Sequence, residues 1–331
     1  VSVLHITNGS HAGDKLKTFA DGPVAITADV LHEGPCPPVD GDAWYELRAR
    51  ELSAGGGCNH DEVRAGLAAS DRTIADAVTR GEPIVLWFEH DLFDQLLIIR
   101  TLDLIGRLTP DTTKRDVSLI CIDRFPGVDR FIGLGQLTPA ELATLRGTAV
   151  PVDDGHFAIA AAAWAAFRSP DPRDLLAIVA RLQTDADAVR GLPFLRAALL
   201  RFLAEYPSST NGLSWTEALA LDALNGGTAT MGELFQATQR QEPHPFMGDS
   251  TFYDIMRRLA SYRVPLVAFE AGPQNPGANR VAITDAGRDV LAGRSDHVRL
   301  NGIDRGRGGV HLAGSDFSPW RWDAHIKTLV S

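Results

Sequence analysis

The chain is poor in the features that would give an immediate answer. It has three cysteines, Cys36, Cys58 and Cys121, an odd number at wide spacing with no CxxC. That gives neither a disulfide framework nor a zinc ribbon. Cys121, inside the apolar run Val117–Ile122, reads as a small core residue. Long hydrophobic runs are also missing. Leu96–Leu108 and Phe157–Phe167 fall short of a membrane span, and the first is interrupted by charge, so no membrane partner is expected. There is no basic surplus: 32 Lys and Arg against 42 Asp and Glu leave a formal charge of −10. A protein whose main surface tracks nucleic-acid phosphates needs the opposite balance, so a nucleic-acid partner is admitted but not favoured. The chemical signatures G-x-G-x-x-G, GK[ST], G-x-S-x-G, HExxH and a catalytic-cysteine motif are all absent. Val1–Ile6 is a short strand-like run with no basic leader, and with the Ala/Arg/Asp-rich usage the expectation is a cytoplasmic protein of bacterial type.

What is present is enough chain for two or three domains and a composition able to build cores: 331 residues, 44% hydrophobic and 22% charged. The first ~150 residues alternate strand and helix, the pattern of a parallel sheet with right-handed crossovers. Strands are expected at Ser2–Ile6, Pro23–Ala28, Ile84–Phe88 and Val117–Ile122, the last two as wholly apolar as a sheet covered on both faces requires. Helices are expected at Ala12–Phe19, Trp44–Leu52, Asp61–Arg80 after the Gly55-Gly56-Gly57 break, and Phe93–Leu108. Thr138-Pro139-Ala140-Glu141 is a helix start with Thr as cap, Pro first and Glu third. Helix then continues through Ala158–Phe167, Asp174–Leu182 and Pro193–Ala204. The turn cluster Pro207–Gly212 marks a boundary. After it, helices at Trp215–Leu224, Met231–Gln239 and Ser250–Leu259 precede a hairpin of Leu266–Glu270 and Arg280–Thr284 and a closing helix at Asp285–Ala292, the winged-helix order. The tail Asn301–Asp323 reads as irregular but docked. The fold class is therefore α/β: a Rossmann-like, mostly parallel sheet in 1–137, a helical segment in 138–210, and a winged-helix-like domain with a Gly/Trp-rich tail in 211–331.

Three polar stretches fall at strand ends: His5-Ile6-Thr7-Asn8-Gly9, Asp29-Val30-Leu31-His32-Glu33-Gly34-Pro35, and Trp87 through Gln95 (WFEHDLFDQ). Open α/β sheets bind ligands just beyond the carboxyl ends of their strands. Asn8, Gly9 and Ser10 form a small-residue turn into a helix, able to hold an anion on free N–H groups, or simply a turn capped by Ser10. Asp29, His32 and Glu33 supply a His–carboxylate set for acid/base work or a divalent metal, against the alternative of a polar turn. In the third stretch Asp91 is a natural helix cap, with Asp94 in the first turn. Glu89 and His90 have no local excuse of that kind and leave the strand on opposite faces. Glu89 and Asp94 are thus expected to line a site, with Gln95 beside them and Arg124 adding a cation from the next strand end. His5, His32, Glu33, Glu89 and Asp94 are the catalytic candidates; Asn8, Gly9, Ser10, Asp29, Gln95 and Arg124 are the ligand-binding ones. Gly133-Leu134-Gly135-Gln136 is a turn able to close over a ligand, or only a turn.

The HITNG, DVLHEGP and WFEHDLFDQL runs, with Phe125-Pro126-Gly127 and Gly133-Leu134-Gly135-Gln136-Leu137, resemble the bacterial domain-of-unknown-function family eighteen-thirty-five over roughly residues 3–150. The region around Asn301–Arg305 and Gly308–Leu312 is similar to the C-terminal part of longer relatives. Ser10 and His11 stand where the family pattern has an acid and then Ser, and Gly306 stands where a bulky aromatic is expected. The resemblance implies an α/β N-terminal domain and no activity.

The leading expectation is an enzyme of hydrolase or group-transferase type acting on a small anionic, nucleotide-like molecule, with a divalent metal as an open cofactor. The alternatives are a ligand-sensing regulator that reads DNA through Arg257, Arg258 and Arg280, and a non-catalytic interaction module. The segment from Asn211 carries only about −1 of the chain's −10. That is less acidic than the rest without being basic, where DNA-binding domains are usually clearly basic.

Overall fold

A computed structural model of the chain describes residues 2–55, 57–270, 275–314 and 320–330. Gly56 of the expected break, 271–274 of the 271–279 loop, and 315–319 of the tail lie outside the described residues. The chain divides into two compact units, 1–199 with 308–310, and 200–307 with 311–331. The division falls within a helix, ahead of the 207–212 turn cluster.

The first unit begins with strand β1 (Leu4–Thr7), helix α1 (Ser10–Leu16) and β2 (Val24–Ile26). A two-residue β3 (Gly34–Pro35), α2 (Asp42–Ser53), α3 (His60–Arg80), β4 (Ile84–Glu89) and α4 (Leu92–Leu108) follow. Then come β5 (Val117–Ile122), α5 (Pro139–Thr144), β6 (Val150–Pro151), α6 (Asp154–Phe167), α7 (Arg173–Thr184) and α8 (Ala186–Gly191); α9 (Leu195–Leu203) crosses the division. The main sheet has the order β2-β1-β4-β5-β6. Its first four strands are parallel, and β6 is antiparallel to β5. The parallel core follows from the sequence: all four residues of β1 are buried, and β4 is buried at every position but Val85, as both-face burial demands.

Local signals set the helix ends. Asn59 accepts from the N–H groups of Asp61 and Glu62 and so starts α3. Thr138 and Glu141 close a reciprocal capping box on α5. Gly81, at φ 62°, stops α3 in the left-handed conformation open to glycine. One sheet face is packed by α1 and the 131–145 segment through Ala12, Leu16, Trp87, Ile120, Phe131, Leu134 and Leu137.

The topology has one consequence for function. The chain steps from β1 to β2 on one side, then returns across β1 to place β4 on the other. The crevice beyond the carboxyl ends of β1 and β4 is therefore the switch point of the sheet, where connections diverge and leave room for a ligand.

In the second unit, α10 (Trp215–Leu224), β7 (Ala229–Thr230), α11 (Met231–Gln241), α12 (Asp249–Ser261), β8 (Val267–Phe269), β9 (Arg280–Ile283) and α13 (Asp285–Leu291) occur in that order. The strands form an antiparallel sheet in the order β7-β9-β8. Its helices share an apolar core that includes Leu221, Leu234, Phe252, Ile255, Met256, Leu266 and Val281. The tail departs from the expectation of irregular chain. It contains β10 (Ile303–Gly308), β11 (Val310–Gly314) and β12 (Arg321–Asp323), with α14 (His297–Asn301) leading into it and β13 (Thr328–Val330) after it, antiparallel to β12. Glycine-rich composition hides these strands because four glycines between 302 and 309 dilute the alternation that marks a strand.

Candidate functional site

An open groove of about 430 Å³ lies at the switch point. Asn8, Gly9 and His11 line it from the turn after β1, Glu89 and Phe93 from the end of β4 and the start of α4, and Gly133, Gly135 and Gln136 from the loop before α5. Two of the three polar strand-end stretches therefore meet here.

Glu89 lines the groove with a cluster of buried acids behind it; Asp94, expected to line the site, is not among the lining residues because its side chain is turned inward as a hydrogen-bond acceptor. Asp91 is the helix cap expected of it, its Oδ1 accepting the Asp94 N–H at 3.0 Å. Asp94 is wholly buried. Its Oδ1 accepts from the Asn8 side-chain amide at 2.7 Å and its Oδ2 from the Glu89 backbone N–H at 2.5 Å. Glu89, also buried, accepts the Leu134 N–H on Oε1 at 2.5 Å. Among the described residues, no lysine or arginine is paired with these carboxyls. Burial first, and the neighbouring Asp91 second, push Glu89 up to about 8. Burial pushes Asp91 up to about 7, and burial with the charges of Glu89 and Asp91 raises Asp94 well above the ordinary range. The direction is the same for all three because burial and mutual repulsion both disfavour their simultaneous ionisation.

Glycine keeps the groove open. A Cβ on Gly133 would sit 2.8 Å from Glu89 Oε2, too close for any side chain. The wall that carries Gly133 is fixed: Leu134 and Leu137 are fully buried, and Lys15 Nζ donates to the carbonyls of Gly135 (2.6 Å) and Leu137 (2.8 Å). Gln136 Oε1 accepts the N–H groups of Ile132 and Gly133. This segment is a packed wall, not a hinged cover.

The remaining candidates lie elsewhere. His5 Nδ1 accepts the Trp87 indole N–H at 3.0 Å, and its Nε2 bonds Asp21 at 2.8 Å. It shares a sheet face with Glu89 but sits behind Trp87, at the level of Val85 in the strand register. Asp29 belongs to an internal clasp: its Oδ1 accepts from Arg48 Nε at 2.8 Å, with both side chains completely buried. The same guanidinium donates to the carbonyls of Val30, Glu33 and Pro35. The second polar stretch is thus pinned to α2, and its Glu33 is not among the groove-lining residues. His32 reaches the groove only indirectly, its ring packing edge-on against Phe93 at 5.9 Å. Gln95 donates to the Glu89 carbonyl at 2.8 Å and to Cys121 Sγ at 3.4 Å, tying the strand end to α4. Arg124 points to solvent and pairs with its neighbour Asp123 at 2.9 Å. Ser10 is not a cap: it is the first residue of α1, exposed, and Gly9 occupies the cap position with no side chain to offer.

His11 and Phe93 line the groove without being among the site candidates of the sequence, and Gly133 belongs to the turn expected either to close over a ligand or to be only a turn. Nothing beside His11 in the sequence points to its place in the groove. Its neighbours come from a loop more than 100 residues away. Among the described residues, no group of three or more His, Cys, Asp or Glu is arranged to hold a metal ion. No helix among them is long and apolar enough to cross a membrane.

In the second unit, Arg257 pairs with Asp254 and Arg280 with Glu270 on the surface. Arg258 differs: its Nε and Nη2 are buried, and its charge acts on Glu217 and His297 in the interior. The three arginines do not present one common exposed set. No family model matches the chain, and no curated protein matches it.

Proposed function

We propose that the first unit is an acid/base enzyme of hydrolase or group-transferase type, acting on a small molecule held in the switch-point groove. The observation that carries this reading is Glu89: a carboxyl at a strand end, lining the groove, proton-bearing at neutral pH and kept uncovered by Gly133. A group whose proton affinity lies near the working pH is suited to protonating a leaving oxygen. His11, exposed at the groove mouth, is the imidazole positioned to take a proton from attacking water. In such a step the water oxygen bonds to the acyl or phosphoryl centre. The bond to the leaving oxygen breaks, Glu89 supplies that oxygen's proton, and His11 holds the proton lost by water until solvent returns the balance. The groove-lining set includes no lysine or arginine, so an anionic ligand would be met by backbone N–H groups of the turn after β1 and by His11.

The test is turnover of ethyl acetate and ethyl phosphate, whose alkoxide leaving groups need the proton of Glu89, by the full chain against Glu89→Gln, with the 4-nitrophenyl analogues, whose leaving group needs none, alongside. Removing a general acid is expected to cost about 100-fold or more on the ethyl substrates. Equal rates on them in a folded Glu89→Gln protein would overturn the reading.

The HITNG, DVLHEGP and WFEHDLFDQL runs favour reading this unit as a relative of domain-of-unknown-function family eighteen-thirty-five, in a cytoplasmic, bacterial setting. We read the second unit, from its helix–helix–helix–hairpin order, as a winged-helix-type module whose role is packing or protein contact. The inward-turned Arg258 favours that role over DNA reading.

A further inference from the structure

The polar atoms on the groove floor have an inventory that limits what they can bind. Asn8 donates through Nδ2 to Asp94 Oδ1 at 2.7 Å, a bond that fixes its amide with the nitrogen turned inward. The carbonyl oxygen on the other side of the amide is left as an acceptor for the groove that Asn8 lines. Glu89 is the complement. Its Oε1 is taken by the Leu134 N–H, so a proton on this carboxyl resides on Oε2, the atom that Gly133 leaves uncovered. The two residues line the same groove from the ends of adjacent parallel strands. Phe93, in the first turn of α4, supplies a half-exposed aromatic ring to the same groove, and His32 packs against that ring at a steep angle. Open space surrounds Gly9, where an added Cβ would meet nothing within 4 Å.

From this we propose that the groove takes a planar cyclic amide, reading its N–H with the Asn8 carbonyl and its C=O with Glu89 Oε2, while Phe93 stacks on the ring. Uracil and the oxopurines present this edge. Charged carboxylates and simple alcohols lack the adjacent donor and acceptor. The inference rests on Glu89 carrying a proton, as in the acid/base reading, and deepens it by naming the class of substrate. The titratable groups around Glu89 are Asp91 and Asp94 from α4 and Cys121 from β5, none of them cationic.

The test titrates the full chain with uridine, 3-methyluridine and δ-valerolactam, following ligand signals by NMR at pH 6.5 and pH 9.5. Uridine and δ-valerolactam are expected to compete for one site. Blocking the ring N–H in 3-methyluridine should weaken binding by about tenfold or more, because it leaves the Asn8 acceptor unpaired. Phe93→Ala should weaken uridine by about tenfold and leave the non-aromatic lactam nearly unchanged. At pH 9.5 the wild type should lose affinity for δ-valerolactam, whose own N–H does not titrate in this range, whereas Glu89→Gln, which keeps a donor at every pH, should not. Equal binding of uridine and 3-methyluridine, or no binding of either lactam, would overturn the proposal. Ethyl ester turnover that depends on Glu89, without lactam binding, would remove the substrate class and leave the acid/base reading standing. Lactam binding with full discrimination, and hydrolysis indifferent to Glu89→Gln, would do the reverse.

Discussion

The side-chain amide of Asn8 donates to Asp94 Oδ1 across 2.7 Å, and through this bond the ends of two parallel strands share one set of buried carboxyls. The contact joins residues 86 apart in sequence. Removing the amide leaves Asp94, wholly buried, with an oxygen that nothing else answers. Asn8→Ala is therefore expected to destabilise the first unit by about 1–3 kcal/mol, the penalty for stranding a buried acceptor. Urea denaturation at pH 7 measures it, and a change within error of zero would mean that water replaces the amide.

Stability should fall as pH rises through neutrality, and Glu89 should account for part of the slope. Its folded-state value, about 8, lies above the ordinary 4.5. Between those limits the native state binds more protons than the unfolded chain, so raising the pH favours unfolding. Below the lower limit both states are protonated, and the contribution is complete and flat. Asp91, raised to about 7, and Asp94, raised further, act in the same direction. Glu89→Gln removes one titration and should flatten the fall between about pH 5 and 8. Glu217 in the second unit gives the opposite sign. Burial alone would raise it, but Arg305 Nη2 at 2.6 Å holds it well below the usual range, so its contribution is lost only as acid protonates it. Denaturant midpoints across pH 4–9 for wild type and Glu89→Gln decide the matter, and superimposable profiles would refute it.

Much of this arrangement was legible from sequence, and the part that was not has a physical reason. β5 over Val117–Ile122 and the Thr138–Glu141 capping box are local: a wholly apolar run and a reciprocal cap need no distant partner to be recognised. Asp91 as cap and Asp94 in the first turn are local for the same reason. Which strand-end stretches converge is not local. Nothing near Asp29 announces that its partner is Arg48, 19 residues on and on a different element. A histidine such as His5 reads alike whether it faces a ligand or a tryptophan. The groove's third wall was harder still, because its contribution is an absence, the missing side chain at Gly133.

That absence can be tested directly. Gly133→Ala would place a Cβ 2.8 Å from Glu89 Oε2 and 3.0 Å from Oε1, against a wall whose anchors Leu134 and Leu137 are fully buried. Neither side can yield cheaply, so a loss of about 1–3 kcal/mol is expected, as for overpacking elsewhere. Gly9→Ala is the control. The backbone there is extended, at φ −165°, and nothing lies within 4 Å of the new methyl, so the change should stay within about 0.5 kcal/mol. Thermal or urea denaturation of both variants checks the contrast; equal costs would show that Gly133 is not selected by the carboxyl.

The Asp29–Arg48 clasp offers a test of structure against function in the second polar stretch. Arg48 is completely buried and spends its donors on Asp29 and on three backbone carbonyls of the 30–35 segment. Arg48→Met leaves the Asp29 carboxylate buried without its cation and should cost about 3–5 kcal/mol. Asp29→Asn keeps an acceptor for Arg48 Nε and should cost less. If the clasp is structural only, Asp29→Asn will lower the denaturation midpoint while leaving the rate of ethyl ester turnover per folded molecule unchanged. A fall in that rate at full foldedness would instead place Asp29 in the chemistry, and with it the loop that the clasp holds.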